Sequence, residues 1–411
     1  MVVQQTVQGR RWPSLISYLS VVGFFAIFST TISKNPVLPL FSSALGADEA
    51  MIGLIAAVSP AAGILFSFPV GVMADRLGPK RLLTASALVF LSAPLLYLLV
   101  ADPLWLIPVR FFHGLATAIL GPVAAMMIFS RYPDRKGEMN GLYSSATLAG
   151  RTAAPLVGGI ILSVFAASSG LLPYRLVYLA AFLASLPVLV LVLRIEDGAE
   201  VRPAAGGAVS LRTFGESLAS FGKNRLLLST ALVEMATYFA FGVFETWLPI
   251  YLVAAGTPEY LIGLLFALQV LAIALSKPFF GAVSDRTGRR TQIVLGLIAV
   301  AASIAAVPLS TAAPVVTAVA VGFGLAISLV TVSTGAYVAD IAARQELGAS
   351  VGALSSIMDI GHASGPLVAG IVIGAAGYAV GFLAPALLAS AVALLFVAAG
   401  RREREGTVGG R

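Results

Sequence analysis

Cysteine is absent from the 411-residue chain, which excludes disulfides and thiolate metal sites. Charge is scarce: 11% of residues are Asp, Glu, Lys or Arg, against roughly a quarter in soluble domains. Histidine occurs only as His113 and His362, which leaves little for a zinc site. There is no Ser/His/Asp grouping and no Glu-His metal motif, so catalysis is not expected. The Walker loop G-x-x-x-x-G-K-[S/T] is also missing, so ATP drive within this chain has no support. No enzyme activity, no metal and no cofactor is expected.

What the chain has in quantity is apolar surface, with 58% hydrophobic residues. Such a chain cannot cover itself with polar groups, so the lipid bilayer is its expected solvent. Windows of about 20 apolar residues place six spans near 13–42, 49–70, 82–100, 104–130, 138–166 and 174–194. Six more lie near 225–254, 259–280, 291–309, 313–340, 347–375 and 378–400. The runs are too long and uniform for barrel strands, so the expected fold class is an all-α integral membrane protein with twelve transmembrane helices. The first run, about Ser14 to Ser33, is too long for a signal peptide and is read as a retained helix.

The net charge of +7 could suggest a nucleic-acid partner, but its placement argues against one. With the N-terminus in the cytoplasm, all basic residues except Lys34, Arg110, Arg151, Arg175 and Lys277 fall in inside segments. The positive-inside rule therefore predicts a multi-pass protein of the cell membrane with both termini cytoplasmic. Residues 195–224 are the longest polar interruption and read as a cytoplasmic linker, with a short interfacial helix expected at Ser210–Phe221. The expected organisation is a six-helix bundle over 1–194, that linker, and a second six-helix bundle over 225–411 with a short cytoplasmic tail.

The chain is doubled. Gly71-x-x-x-Asp75-Arg76-x-Gly78-x-Lys80-Arg81 returns 210 residues later from Gly281 through Asp285, Arg286, Gly288 and Arg290. Gly137, Gly141, Ser144, Ser145, Gly150, Pro155 and Gly159 each recur 211 positions on, the last three as Gly361, Pro366 and Gly370. Pro39 matches Pro249 at the 210 offset. Paired halves around a central path are a common plan of secondary transporters.

These motifs resemble the major facilitator superfamily over nearly the whole chain. The Gly71–Arg81 corner is similar to that family's loop between spans 2 and 3, and the Gly281 corner is its echo between spans 8 and 9. Arg110-Phe111-Phe112-His113-Gly114 is similar to the family's R-x-x-Q-G element, with His113 in place of glutamine. Gly150 to Gly159 is similar to its antiporter signature G-x-x-x-G-P-x-x-G-G, with Ala154 in place of the second glycine. The resemblance implies two pseudo-symmetric bundles, a central cavity between spans 1, 4, 7 and 10, and proton-coupled export. Gly71, Asp75, Arg76, Gly281, Asp285 and Arg286 are then expected to latch an inside gate, with Asp340 joining the second corner. Gly150, Pro155, Gly159, Gly361 and Pro366 are expected to let helices pack closely and bend.

Charges at membrane depth need a partner, a water path or a task. Glu234 lies nine residues past Arg225, ~14 Å along a helix, and is the expected proton or cationic-substrate site. The alternative is a static ion pair with Arg110 or Arg151. Arg110 could hold an anionic group, and His113 one turn on could share its water network. Asp359 shares a helical face with His362 and is expected to join Glu234, Arg110 and His113 in proton coupling, and either to pair across the halves with Arg151, which with Arg110 is an expected substrate-binding residue, or to be satisfied locally. Lys34 and Glu245 read either as an outer-gate ion pair or as interfacial side chains, and Lys277 as one that snorkels inward. Phe28 and Tyr238, on spans 1 and 7, are expected to line an apolar substrate cavity.

The sequence therefore predicts a proton-coupled exporter of small amphipathic or drug-like molecules, working as a monomer by alternating access. A carrier of a sugar or organic anion is the alternative within transport. A membrane receptor without transport is the alternative outside it.

Overall fold

The computed structural model describes residues 15–195, 224–341 and 347–408. Among these there is no strand, and eleven helices are long and apolar enough to cross a membrane. The twelve expected spans are accounted for by the last helix, Leu347–Val408, which turns at Gly377 (φ 82°). The turn brings Gly381 back onto the side chain of Ile373. Only glycine adopts such a φ without strain. Spans 11 and 12 are thus the two arms of this helix.

The first expected span is corrected in the other direction. It consists of Leu15–Ile32 and Val37–Ala44, broken at residues 33–36. Spans 2 to 6 are Glu49–Leu77, Pro79–Leu99, Leu106–Arg131, Lys136–Val164 and Leu172–Arg194. Spans 7 to 10 are Arg225–Ala254, Glu259–Thr287, Arg289–Ala306 and Ala313–Ile341. The expected linker and its helix at Ser210–Phe221 lie outside the described residues, save Ile195 and Asn224.

Helix starts follow from local chemistry. Asp48 accepts from Met51 N at 2.8 Å to begin span 2, and Asn224 accepts from Leu226 N and Leu227 N to begin span 7. At the repeated corners Gly78 (φ 84°) and Gly288 (φ 91°) let one span end and the next begin within a single residue.

Each half has its own core. In the first, Leu19, Val22, Phe90, Leu120 and Met127 pack together. In the second, Phe244 stacks on Phe323 at 4.5 Å and meets Phe266 edge-on. The doubling persists in the packing. A Cβ on Gly114 of span 4 would lie 2.9 Å from the Ser59 carbonyl of span 2. A Cβ on Gly324 of span 10 would lie 2.7 Å from the Gln269 carbonyl of span 8, and both residues are the counterparts 210 positions on.

The halves meet along two symmetric crossings, span 2 with span 11 and span 5 with span 8. Gly53 rests on the Pro366 carbonyl, and Gly263 on the Pro155 carbonyl. Gly370 and Gly159 meet the carbonyls of Glu49 and Glu259. Ser163 Oγ donates to Glu259 Oε2 at 3.2 Å and accepts from Tyr260 N at 2.9 Å. All these contacts lie toward the end away from the basic corners. Toward the corners, a Cβ on Gly137, Gly141 or Gly352 would have nothing within 4 Å. The halves therefore touch at one face and part toward the face that carries the basic loops.

Candidate functional site

The point where the halves part is set by helix periodicity. On span 5, Pro155, Gly159 and Ser163 face span 8. Arg151 is one turn earlier on that same face and is exposed. On span 11, Pro366 and Gly370 face span 2, and His362 holds the place equivalent to Arg151. Asp359 follows one turn beyond, its Oδ2 3.8 Å from the Cβ position of Gly63 on span 2. Asp359 and Arg151 do not pair within 4 Å, which corrects the expected bridge. Span 5 crosses span 8 and span 11 crosses span 2, so the two side chains stand on opposite flanks of the opening.

Just beyond lies a polar knot. Lys34 Nζ is 2.6 Å from Glu245 Oε2, and Asn35 Nδ2 donates to Oε1 at 2.6 Å. His362 Nε2 is 3.1 Å from the same Oε2 and 3.3 Å from Lys34 Nζ. Asn35 and Glu245 are counterparts 210 residues apart. Equivalent positions of two repeats can touch only near the axis that relates them, so the knot sits on that axis. The break in span 1 at residues 33–36 is what delivers Lys34 and Asn35 there. Phe241 and Tyr238 pack against His362, with ring centroids 5.6 and 6.2 Å away. Phe24 and Phe28 stack at 6.2 Å on span 1, where Gly150 of span 5 approaches the Phe24 carbonyl.

Glu234, one turn before Tyr238, is 4% exposed. Its Oε1 accepts from Thr334 Oγ1 of span 10. No Lys, Arg or His stands within 4 Å of it among the described residues, so neither Arg110 nor Arg151 forms the static pair considered above. Lys277 of span 8 lies close enough to act on it electrostatically. Lys277 continues the stripe of Ile273, which meets Gly324, and precedes Gly281, which meets Val332. It therefore faces span 10 and the opening.

Arg110 and His113 stand elsewhere. They are 2% and 1% exposed inside the first half, among Phe90, Tyr97 and Tyr178 of spans 3 and 6. Among the described residues, Arg110 Nε, both His113 ring nitrogens and both tyrosine hydroxyls have no hydrogen-bond partner. Arg110 nonetheless lies within electrostatic reach of Lys34 in the knot.

At the second corner, Arg289 makes the charged contacts and Arg286 is exposed. Arg289 Nη1 is 2.5 Å from Asp285 Oδ1, and its Nε is 3.0 Å from Asp340 Oδ2. All three residues belong to the second half, so this contact braces one half and does not span the two. The counterpart of Arg289 in the first half is Pro79, which carries no charge. The side chains of Asp75 and Arg76, and the surroundings of Gly71, lie outside the described residues.

Sequence reasoning missed Asn35, Thr334 and Arg289 as partners. Only Asn35 left a signal, since it and Glu245 share the repeat offset.

Comparison with known proteins follows the same lines. The family profile described as Major Facilitator Superfamily matches residues 19–261 and, overlapping, residues 230–410. The uncharacterized MFS-type transporter MJ1560 of Methanocaldococcus jannaschii is 25% identical over 374 residues, covering 90% of this chain and 91% of its own. The multi-drug resistance efflux pump PmrA of Streptococcus pneumoniae is 26% identical over 287 residues, covering 67% of this chain and 69% of its own. The crystal structure of a bacterial homolog of the human lysosomal transporter Spinster, inward-facing and unoccupied, superposes with a TM-score of 0.78 at 16% identity. That match covers 94% of this chain and 96% of the other, and it speaks to the fold.

Proposed function

The chain belongs to the major facilitator superfamily and is a membrane transporter, not an enzyme, and on that premise we propose that it exports small amphipathic molecules in exchange for protons. The halves rock about the axial knot, opening the site to one face and then the other. The basic corners and both termini lie in the cytoplasm of a cell whose plasma membrane holds the protein as a monomer. Residues 1–194 and 225–411 are the two rocking bundles, joined by 195–224.

One observation carries this reading: Glu234 is a buried carboxylate held by a single hydroxyl, with no cation within 4 Å among the described residues. A structural carboxylate at membrane depth is normally paired, and an unpaired one marks a proton path. Asp359, half-buried beside the opening, is its proposed companion. Phe28 and Tyr238 give the site its apolar wall. The direction of transport rests on the Gly150–Gly159 segment and on similarity to a multidrug efflux pump.

Everted membrane vesicles acidified inside test the reading. Uptake of lipophilic cations, sugars and organic anions is screened with and without the pH gradient. The expected outcome is gradient-driven accumulation of at least one amphipathic compound. Glu234→Gln is expected to lower that stimulation at least about tenfold while the compound still binds. Accumulation with unchanged pH dependence in Glu234→Gln and Asp359→Asn together would rule the reading out.

A further inference from the structure

Two cations at membrane depth have no ion-pair partner among the described residues. Arg151 and Lys277 are exposed at the parting of the halves, and neither has a carboxylate within 4 Å among the described residues. They stand on the facing spans 5 and 8, near enough to repel one another. Charge at this depth is costly, and two like charges raise that cost unless something negative comes between them. The acids nearby are engaged or turned away. Glu245 is held by Lys34, Asn35 and His362, Glu234 accepts from Thr334 and attracts Lys277 only from beyond ion-pair distance, and Asp359 stands beside Gly63 of span 2.

Lipid does not explain the pair. Arg151 continues the face of Pro155 and Gly159, which contacts the other half, and Lys277 lies between two positions that contact span 10. Arg151 therefore points into the space between the halves, and Lys277, exposed on the span 10 side of span 8, lies within electrostatic reach of it. Beside Arg151, Gly150 draws span 5 onto span 1 at Phe24, whose ring stacks on Phe28. A cationic pair next to an aromatic wall fits a molecule with an anionic head and a flat apolar body. A guanidinium takes a carboxylate in a forked, charge-assisted geometry, and an ammonium adds a second point of attraction.

We propose that the substrate is an amphipathic organic anion, with its carboxylate held by Arg151 and Lys277 and its apolar part against Phe24 and Phe28. This rests on the transporter reading above and narrows its substrate class. It also gives the two cations a purpose in alternating access, since a bound anion removes their repulsion and lets spans 5 and 8 close.

The test is calorimetric titration of the full-length protein in lipid nanodiscs. The probes are 1-naphthylacetate, the neutral 1-naphthylacetamide and the cationic (1-naphthylmethyl)trimethylammonium. The acetate is expected to bind wild type more tightly than either analogue. Arg151→Gln and Lys277→Gln are each expected to weaken the acetate about tenfold and to leave the amide within about twofold. Arg151→Lys keeps the charge but loses the fork, so it is expected to bind the acetate more weakly than wild type and more tightly than Arg151→Gln, an intermediate result that also guards against a variant that fails to fold. Preference for the cation, equal losses for acetate and amide, or no acetate binding by wild type would each overturn the proposal. A lipophilic cation driven by the pH gradient in vesicles, with Arg151→Gln indifferent, would overturn it while sparing proton-coupled export.

Discussion

Glu245 and Glu234 are both buried carboxylates on span 7, and they are held in opposite ways. Glu245 has Lys34, Asn35 and His362 on its two oxygens, whereas Glu234 has the Thr334 hydroxyl. The first ties the two halves together through three partners, and the second is the acid that the proposed mechanism would use to exchange a proton. Removing one partner of a buried ion pair strands the other. Glu245→Ala is therefore expected to destabilise the protein by roughly 3 kcal/mol, with Lys34 left facing His362. Glu234→Gln keeps the shape and a group that Thr334 can bond, so its cost is expected to stay below about 1 kcal/mol. Thermal unfolding of the purified variants checks both. Equal losses would mean that Glu234 is as structural as Glu245. The sequence offered Lys34 with Glu245 as one of two alternatives, and the ion pair is the one that forms; it gave no sign of His362 or Thr334, because residues 117 and 100 positions from their partners are brought together only by the fold. Asn35 differs, because there the repeat itself carried the information.

At the level of helices, most of the architecture was legible. Apolar runs in lipid have one economical form, and the Gly-Pro segments recur at one offset because both halves make the same crossing. The interruptions were less legible. Span 1 breaks at Ser33-Lys34-Asn35-Pro36, a polar stretch too short to separate the apolar runs on either side, and spans 11 and 12 join through a single glycine turn without a polar loop. The second corner was misread in its partner, since Arg286 sits within the repeated motif while Arg289 sits at the turn from which it can reach both Asp285 and Asp340. The crossings themselves make a prediction. Gly53→Ala and Gly263→Ala would push a methyl onto the Pro366 and Pro155 carbonyls. Overpacking of about 2 kcal/mol would shift the balance of states roughly thirtyfold toward the form open at that end. The chain has no native cysteine, so spin labels at Ala101→Cys and Thr311→Cys report the separation of the halves without background. A longer label distance in the glycine variants is expected, and an unchanged distribution would mean that the crossings do not set the closed end.

Seen whole, the molecule is two copies of one bundle that are alike in packing and unlike in charge. Glu245 faces Asn35, Arg289 has Pro79 as its counterpart, and Glu234 has Phe24. The doubled scaffold brings the polar knot onto its axis, but the acid that would couple transport to protons belongs to the second half alone. Asymmetry of this kind lets a single protonation bias a two-state rocking motion, provided that the proton is bound differently in the two states. The most direct measurement is proton movement in proteoliposomes, using a pH-sensitive dye trapped inside and an imposed substrate gradient. Substrate flow is expected to drive protons the opposite way in wild type, with no dye response in Glu234→Gln. A dye response of equal size in that variant would contradict the account.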